Sequence, residues 1–496
     1  MSSTTTQRHA PDWLILSIAC VAQFMVVLDV SVVNVALPHM GHDLHLSENK
    51  AQWIINAYVL TFAGFLLLGG RAADLFGRRK VYLLGIAVFT VASIGAGFAQ
   101  NGSEMIIARA VQGLGGAILS PATLTIIVTT FAGPRLPKAI GAWSAVAGAG
   151  GAVGGLAGGL LTGLANWRWV FFVNVPFGIV AATVAARYLQ EQRNRDATVK
   201  LDVTGAVLVT GGLSALIYGV VNTTSSSWTS SSTLSWLIGS AVLLIGFIFW
   251  EARVASHPLV PFRIFHSRPL TIANIVMVLA GGAFFAMWYF LTYYFQNILG
   301  YGAVRAGFAF LPMAIGIIVG AQLSSRLLVK VGVRPLLLVG AAFATLGFFW
   351  LSLITPTSSY WGNLLTPAFL CSFAMGLLFA PLAMAATAKV DRADAGLASG
   401  ILNTARQVGG SLSLAILGTV AYDRTVAYVR TASQKHSPLN LQKLAYVTGY
   451  NRAFQISACI ALAAFFVSLA LPAKVGHHSS HAQPAEPAAA AAGSGH

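Results

Sequence analysis

Apolar residues in this chain do not alternate with polar ones as they would along a half-buried strand or a surface helix. They run together in blocks of about twenty, separated by short polar turns, and a block of that length is what a helix needs to cross the hydrocarbon of a bilayer. Windows of about 19 residues place spans near 13–37, 52–70, 80–99, 104–130, 138–163, 168–188, 201–221 and 233–251. Six more fall near 270–295, 304–328, 334–353, 362–388, 398–420 and 449–471, about fourteen in all. An even number puts both termini on one side of the membrane.

The spacing of these blocks organises the chain. A polar tail (1–12) precedes a first six-helix bundle (13–190), then two additional helices (200–252), a second six-helix bundle (268–471) and a tail (474–496). The first block, at roughly 25 residues, is too long for a signal-peptide core and is expected to stay as the first span. The Ala-, Pro-, Ser- and His-rich tail has no apolar period and is expected to be disordered, and its His477, His478 and His481 are not expected to hold a metal. A weak internal repeat links the halves: GRAADLFGRRKVYLLG after the second span and SSRLLVKVGVRPLLLVG after the tenth, with Gly77 and Gly332 each followed closely by Arg. Halves of this kind usually enclose a substrate site near the midplane.

Composition agrees with the bilayer as solvent. Of 496 residues, 56% are hydrophobic and only 9% charged, and the mean hydropathy of +0.73 exceeds what a soluble interior could hide. The net charge of +16 does not point to nucleic acid, because Lys and Arg cluster in turns instead of forming a stripe. Arg78, Arg79, Lys80, Arg135, Lys138, Arg187, Arg326, Lys330 and Arg334 all fall in even-to-odd loops, so the positive-inside rule places those loops and both termini in the cytoplasm. The exception is the long loop expected at 421–448, which carries Arg424, Arg430, Lys435 and Lys443 on the outer side. Cys20, Cys371 and Cys459 share no spacing that would indicate a disulfide framework or metal site.

Against this background an ionisable residue inside a span is informative, because it costs about 2.5–3.5 kcal/mol on insertion scales. Asp29 lies about 24 Å along the first helix and Arg109 about 8 Å into the fourth from its opposite end, so the two reach similar depths and an ion pair is possible. A proton or a cationic substrate would then compete with Arg109 for Asp29, which would couple two fluxes; the plainer alternative is that each bonds only backbone or buried water. Gly154, Gly155, Gly158 and Gly159, within GAGGAVGGLAGGLLTG, let the fifth helix approach its neighbours closely, either for packing alone or for a contact that opens as the bundles rock. Gly70, Asp74, Gly77, Arg78 and Arg79 form a cytoplasmic turn that reads as a conformational latch, with Asp74 near a helix end; the plainer alternative, a basic topological anchor, explains the arginines but not Asp74.

The ninth span, AFFAMWYFLTYYFQN, is densely aromatic, and several of its rings are expected to face a cavity suited to flat apolar substrates while others face lipid. Cavity candidates are Asn34, Tyr58, Gln112, Trp288, Tyr289, Tyr293, Asn403 and Arg406. His39, His42, Asp43 and His45 close the first span on the outside, where a solvated turn is expected instead of a zinc site.

These residues carry a likeness. LDVSVVNVALP (28–38), GRAADLFGRRK (70–80), ARAVQGLGGAILSP (108–121), GGLAGGLL (154–161), WRWVFFVNVPFG (167–178) and GLASGILNTARQVGGSLSLAILGT (396–419) together resemble the fourteen-spanner drug:proton antiporters of the major facilitator superfamily. The resemblance implies an all-helical integral membrane protein of two six-helix bundles plus two extra central helices. It implies a rocker-switch exporter in the bacterial cytoplasmic membrane that exchanges lipophilic drugs or metabolites, cations included, for protons. Asp29, Arg109, and Asp74 with Gly77 and Arg78 match that family's acidic, arginine and signature-loop positions. Ala72, Leu75 and Gly155 depart from it, standing where leucine, a basic residue and proline are usual. No cofactor is expected, since the proton gradient supplies the work. The expected partners are small lipophilic substrates, protons and membrane lipid, with no nucleic acid, and the protein is expected to be a monomer. A narrow-specificity exporter of an endogenous metabolite, lipid or antibiotic fits the same motifs. A receptor or scaffold would not need the embedded Asp and Arg, and an enzyme would need acidic or His clusters on a sizeable loop that the chain lacks.

Overall fold

The computed structural model describes residues 11–131, 135–191, 201–223, 226–388, 390, 395–432 and 438–472. The tail histidines and the side chain of Asp74 lie outside the described residues. All regular structure among the described residues is helical.

The first bundle comprises α1 (Asp12–Asp43), α2 (Glu48–Phe76), α3 (Arg78–Phe98), α4 (Gly102–Thr130), α5 (Arg135–Leu164), α6 (Trp169–Phe172) and α7 (Asn174–Tyr188). Next come α8 (Val203–Asn222) and α9 (Ser231–Phe249). The second bundle comprises α10 (Arg268–Tyr293), α11 (Ala303–Ala309), α12 (Leu311–Val331), α13 (Val333–Leu351), α14 (Leu365–Thr387), α15 (Ala395–Ala432) and α16 (Pro438–Leu469). Twelve helical stretches among the described residues are long and apolar enough to cross a membrane. Helices α5 and α15, of 30 and 38 residues, occupy the places of the remaining two expected spans.

Local chemistry explains where helices differ from the apolar blocks. The sixth span is two helices, α6 and α7, because Pro176 near the start of α7 has no N–H to continue the ladder from α6. The tenth breaks between α11 and α12 for the same reason, with Pro312 in the first turn of the second piece. Helix α1 runs through Pro38 to Asp43, and α15 and α16 extend beyond the apolar stretch. The expected loop 421–448 is therefore mostly helix, with only residues 433–437, outside the described residues, between the two. Intrahelical hydrogen bonds are satisfied wherever the backbone is helical, so hydropathy marks where the membrane begins but not where a helix stops.

The two halves meet directly, α2 against α15 and α5 against α11 and α12. The additional pair does not lie between them, contrary to the central placement expected from chain order. Helix α8 packs on the outside of the seam, where Ile217, Val220 and Val221 meet Leu60 of α2 and Ala415 of α15, and Thr419 donates to the Val220 carbonyl at 3.4 Å. Helix α9 packs mainly on α8 and leaves Ile238, Val242, Ile245 and Phe249 more than half exposed, an apolar face that only lipid can satisfy. In the second half α10 and α15 touch backbone to backbone. A Cβ on Gly281 would stand 2.5 Å from the Arg406 carbonyl oxygen, so glycine there permits the contact and holds Arg406's backbone in place.

Candidate substrate cavity and coupling site

Asp29 and Arg109 meet. One guanidinium nitrogen of Arg109 donates to Asp29 Oδ2 at 2.5 Å, and each side chain is 1% exposed or less. The other oxygen, Oδ1, accepts from Gln112 Nε2 at 2.8 Å and Asn174 Nδ2 at 3.1 Å. Ser93 Oγ accepts from both of these amides and itself donates to the Phe171 carbonyl. Arg109 is held further by the Ile54 carbonyl at 3.0 Å, by Gln112 Oε1 at 2.7 Å and by the ring of Tyr58, 4.3 Å from the guanidinium carbon. The knot thus ties α1, α2, α3, α4 and α7 into one half. A buried pair persists only when its remaining donors and acceptors are met as they are here, and removing one partner costs about 3–5 kcal/mol.

A cavity of about 810 Å³ lies between the halves, walled by α1, α2, α4 and α5 on one side and α10, α12, α14 and α15 on the other. Its volume lies within the range of drug-sized ligand sites, about 300–1,000 Å³. Of the expected wall residues, Asn34, Tyr58, Trp288, Asn403 and Arg406 line it. Gln112, Tyr289 and Tyr293 do not. Gln112 is fully buried in the Asp29 knot, and the two tyrosines turn away from the cavity toward α16 and the start of α2. The reason is helical phase: Trp288 and Tyr289 are about 100° apart around α10, so a run of aromatics must divide between faces. Nor do these rings face lipid, since Phe284, Tyr289, Tyr293, Tyr294 and Phe295 are all buried in protein.

Asp29 is absent from the cavity wall as well, so the expected direct competition of a substrate with Arg109 has no path in this conformation. What reaches both places is Tyr58. It lines the cavity, stacks on Phe62 at 5.9 Å and presents its ring to Arg109.

The cavity is closed at the end of the bundle that carries the α1–α2 turn. Gln296 donates to the Val35 carbonyl at 2.8 Å, Tyr289 to the Glu48 carbonyl at 2.8 Å, and Asn297 to the Glu48 carboxylate at 3.1 Å, each bond crossing between halves. Tyr450 adds its hydroxyl to the same carboxylate at 3.3–3.4 Å. Glu48 precedes the apolar stretch Lys50–Ala73, and burial among these rings pushes its carboxyl from 4.5 up to about 7, against the opposing pull of Tyr450 and Asn297. Sequence reasoning passed over this residue because Ser47 caps α2 and Glu48 then reads as an ordinary acidic first-turn residue. Asn174 and Ser93 were missed for a related reason: single neutral polar residues in apolar runs carry no distinctive spacing.

The glycine helix contacts both halves. Gly154 and Gly158 face α1, with a Cβ on Gly158 falling 2.6 Å from the Val32 carbonyl, whereas Gly159 faces α11 across the interface, 2.5 Å from the Ala303 carbonyl by the same measure. Gly155 borders the cavity beside Phe310. At the opposite end, Gly77 ends α2 at φ +97°, a left-handed backbone that favours glycine, with the Glu191 carboxylate over its α-carbon. Arg79 donates to the Ala186 carbonyl of α7, Arg78 lies in the adjoining cleft with Asp12 and Tyr188, and Gly70 faces Pro121 of α4. His42 and Asp43 pair at 3.3 Å, and Asp43 also accepts from Trp167 Nε1 at 2.8 Å, which ties the end of α1 to the α5–α6 turn.

A family model described as Major Facilitator Superfamily matches residues 19–414. A cephamycin export protein of Amycolatopsis lactamdurans is 44% identical over 422 residues, 84% of this chain and 86% of that protein. A puromycin resistance protein of Streptomyces alboniger is 38% identical over 428 residues, 85% and 84% of the two chains. Among solved structures, a bacterial homologue of the human lysosomal transporter Spinster, inward-facing and unoccupied, superposes with a TM-score of 0.63 at 15% identity, covering 93% of this chain and 98% of the other.

Proposed function

The chain belongs to the major facilitator superfamily, multi-pass membrane transporters of small substrates and not enzymes, and from that premise we propose that it exports lipophilic compounds from the bacterial cytoplasm in exchange for protons. The observation that carries this reading is the cavity itself: it lies between the halves, is closed at one end by bonds that cross the interface, and adjoins through Tyr58 a buried carboxylate–guanidinium pair that does not line it. The basic residues of the even-to-odd loops make the Gly77 end cytoplasmic, so the closed end is the outer one and the cavity serves the inside. Fourteen spans with both termini inside is the topology this assignment uses.

Proton coupling follows from which carboxylates must trade partners. Protonating Asp29 would release Arg109, Gln112 and Asn174 together, loosening five helices of one half. Glu48 sits at the outer end, where protons enter, and its bonds join the two halves. A proton there favours the closed outer end, and its loss makes that closure costlier. The names of the relatives, one for cephamycin export and one for puromycin resistance, support export as the direction.

Inverted membrane vesicles test the reading. Energised vesicles should accumulate a lipophilic dye, and collapsing the pH gradient with nigericin should release it; accumulation indifferent to the gradient would exclude proton antiport.

A further inference from the structure

Among the described residues that line the central cavity, Arg406 is the only charged one. Its neighbours on the wall are neutral: Asn403 Oδ1 accepts from one guanidinium nitrogen at 2.9 Å, and the ring of Phe379 lies 5.7 Å from the guanidinium carbon. The ion pairs among the described residues are Asp29 with Arg109, Asp12 with Arg135 and Asp43 with His42, so none involves Arg406. A guanidinium carries five donors in a planar fork. Asn403, three residues earlier on the same helix, occupies one and steadies the head, and no other acceptor among the described residues takes a hydrogen bond from the fork at the cavity wall.

The contrast with Arg109 gives this its meaning. Where the fold seals an arginine away from the cavity, it supplies a carboxylate at 2.5 Å to compensate the charge. Beside Arg406 it supplies only hydrogen-bonding amides, Asn403 and the buried Gln407, and an apolar wall of Phe284, Phe285, Trp288 and Phe379. A low-dielectric cavity with one uncompensated positive charge attracts an anion and repels a cation. Asp29 in the opposite half is committed to its own pair, does not line the cavity and cannot offset a cationic guest.

The geometry points to Arg406 as the anion-recognition group of the cavity, and to amphiphiles that combine an aromatic or aliphatic body with one carboxylate-type group as the preferred cargo. The carboxylate would take the guanidinium fork in the bidentate manner open to arginine, while the body packs against the α10 aromatics. This assignment rests on the transporter reading above and replaces the expectation of cationic cargo. It gives the cavity a selectivity that apolar walls alone cannot, because a site built around one unpaired charge discriminates by sign.

Three probes of one shape test it: pyrenebutyric acid, pyrenebutyramide and the trimethylammonium analogue of the same pyrenyl chain, added to the full-length protein in nanodiscs and followed by quenching of tryptophan fluorescence. The carboxylate is expected to bind about tenfold more tightly than the amide, and the cation more weakly than either. R406Q should collapse that preference, and R406K, which keeps the charge without the fork, should retain part of it. The wild-type ranking needs no variant, so a misfolded R406Q leaves the test intact. Equal binding of acid and amide, or tighter binding of the cation, overturns the assignment. Transport of the same probes in energised inverted vesicles separates the two claims. If the acid is preferred in binding yet none of the probes is moved, export fails and the anion site stands. If all three are moved at equal rates, export stands and the role of Arg406 fails.

Discussion

Among the described residues, Arg109 and Arg406 both lie inside the bundle, and they are treated in opposite ways. Arg109, on α4, has a carboxylate, two carbonyl-type acceptors and an aromatic ring around it and is 1% exposed. Arg406, on α15, has one amide oxygen and an open cavity. The cost of burying a charge is the same kind of cost in both halves, so the difference lies in where the compensation comes from. In the first half the chain neutralises its own arginine and seals the pair away from the cavity, which makes it a structural unit. In the second half neutralisation is left to whatever enters the cavity. On the proposed function one half serves coupling and the other recognition, with Tyr58 as a side chain that touches both the cavity and Arg109.

The sharpest way to break this comparison is to remove the compensation on the first side. Asp29→Asn should abolish gradient-driven transport, a loss of about a hundredfold or more, and lower stability by about 3–5 kcal/mol because Arg109 is left charged and buried. Adding Arg109→Gln to it should recover most of the stability but none of the transport, as read by thermal unfolding in detergent alongside vesicle assays. A double variant that transports normally would show that the pair is only structural.

Creating on the second side what the first side already has should have the next largest effect. Asn403→Asp puts a carboxylate where the Arg406 head now meets an amide, so the cavity becomes neutral and the preference for an acid over its amide should fall by about tenfold. An unchanged preference would mean that some other group sets it.

A smaller, pH-dependent effect belongs to the outer end. A carboxyl raised from 4.5 to about 7 by burial favours the closed arrangement in its protonated form, so this contribution is full below pH 4.5 and is lost as pH rises through about 7. The groups facing Glu48 are Tyr289 and Tyr293 on α10, Tyr446 and Tyr450 on α16 and Asn297, with Lys443 nearby on the Ile298 carbonyl. Distances between spin labels across the outer end should lengthen between about pH 5.5 and 8 in the native protein and stay constant in Glu48→Gln. Native distances that ignore pH would remove Glu48 from the proton pathway.

The smallest change is expected at Gly155. A Cβ there meets Phe310 at 3.4 Å, ordinary contact, so Gly155→Ala should alter stability by no more than about 0.5 kcal/mol and leave transport near normal. A large loss would mean that the α5 contact with α11 must tighten further during the cycle.

Much of the molecule was legible in the sequence because the bilayer imposes its requirements residue by residue. Apolar blocks located the helices, basic turns supplied an orientation, and the scarcity of embedded charges singled out Asp29 and Arg109, whose depths along α1 and α4 follow from rise per residue alone. Helix boundaries were less legible: hydropathy does not register a helix continuing into water, as α15 and α16 do, and the breaks before α7 and α12 depend on single prolines.

What the chain could not state in one dimension was which side of a helix faces what. Trp288 and Tyr289 are adjacent and of the same chemical kind, yet one lines the cavity and the other braces the outer end. Helices α8 and α9 stand between the bundles in chain order and outside them in space. Composition determined that this protein is membrane-bound and helical, because every residue pays its own cost of meeting lipid. Only packing decided that Asp29 is sealed, that Glu48 joins the halves and that Arg406 faces the cavity with no counter-ion among the described residues, because those properties belong to neighbours that sequence separation does not reveal.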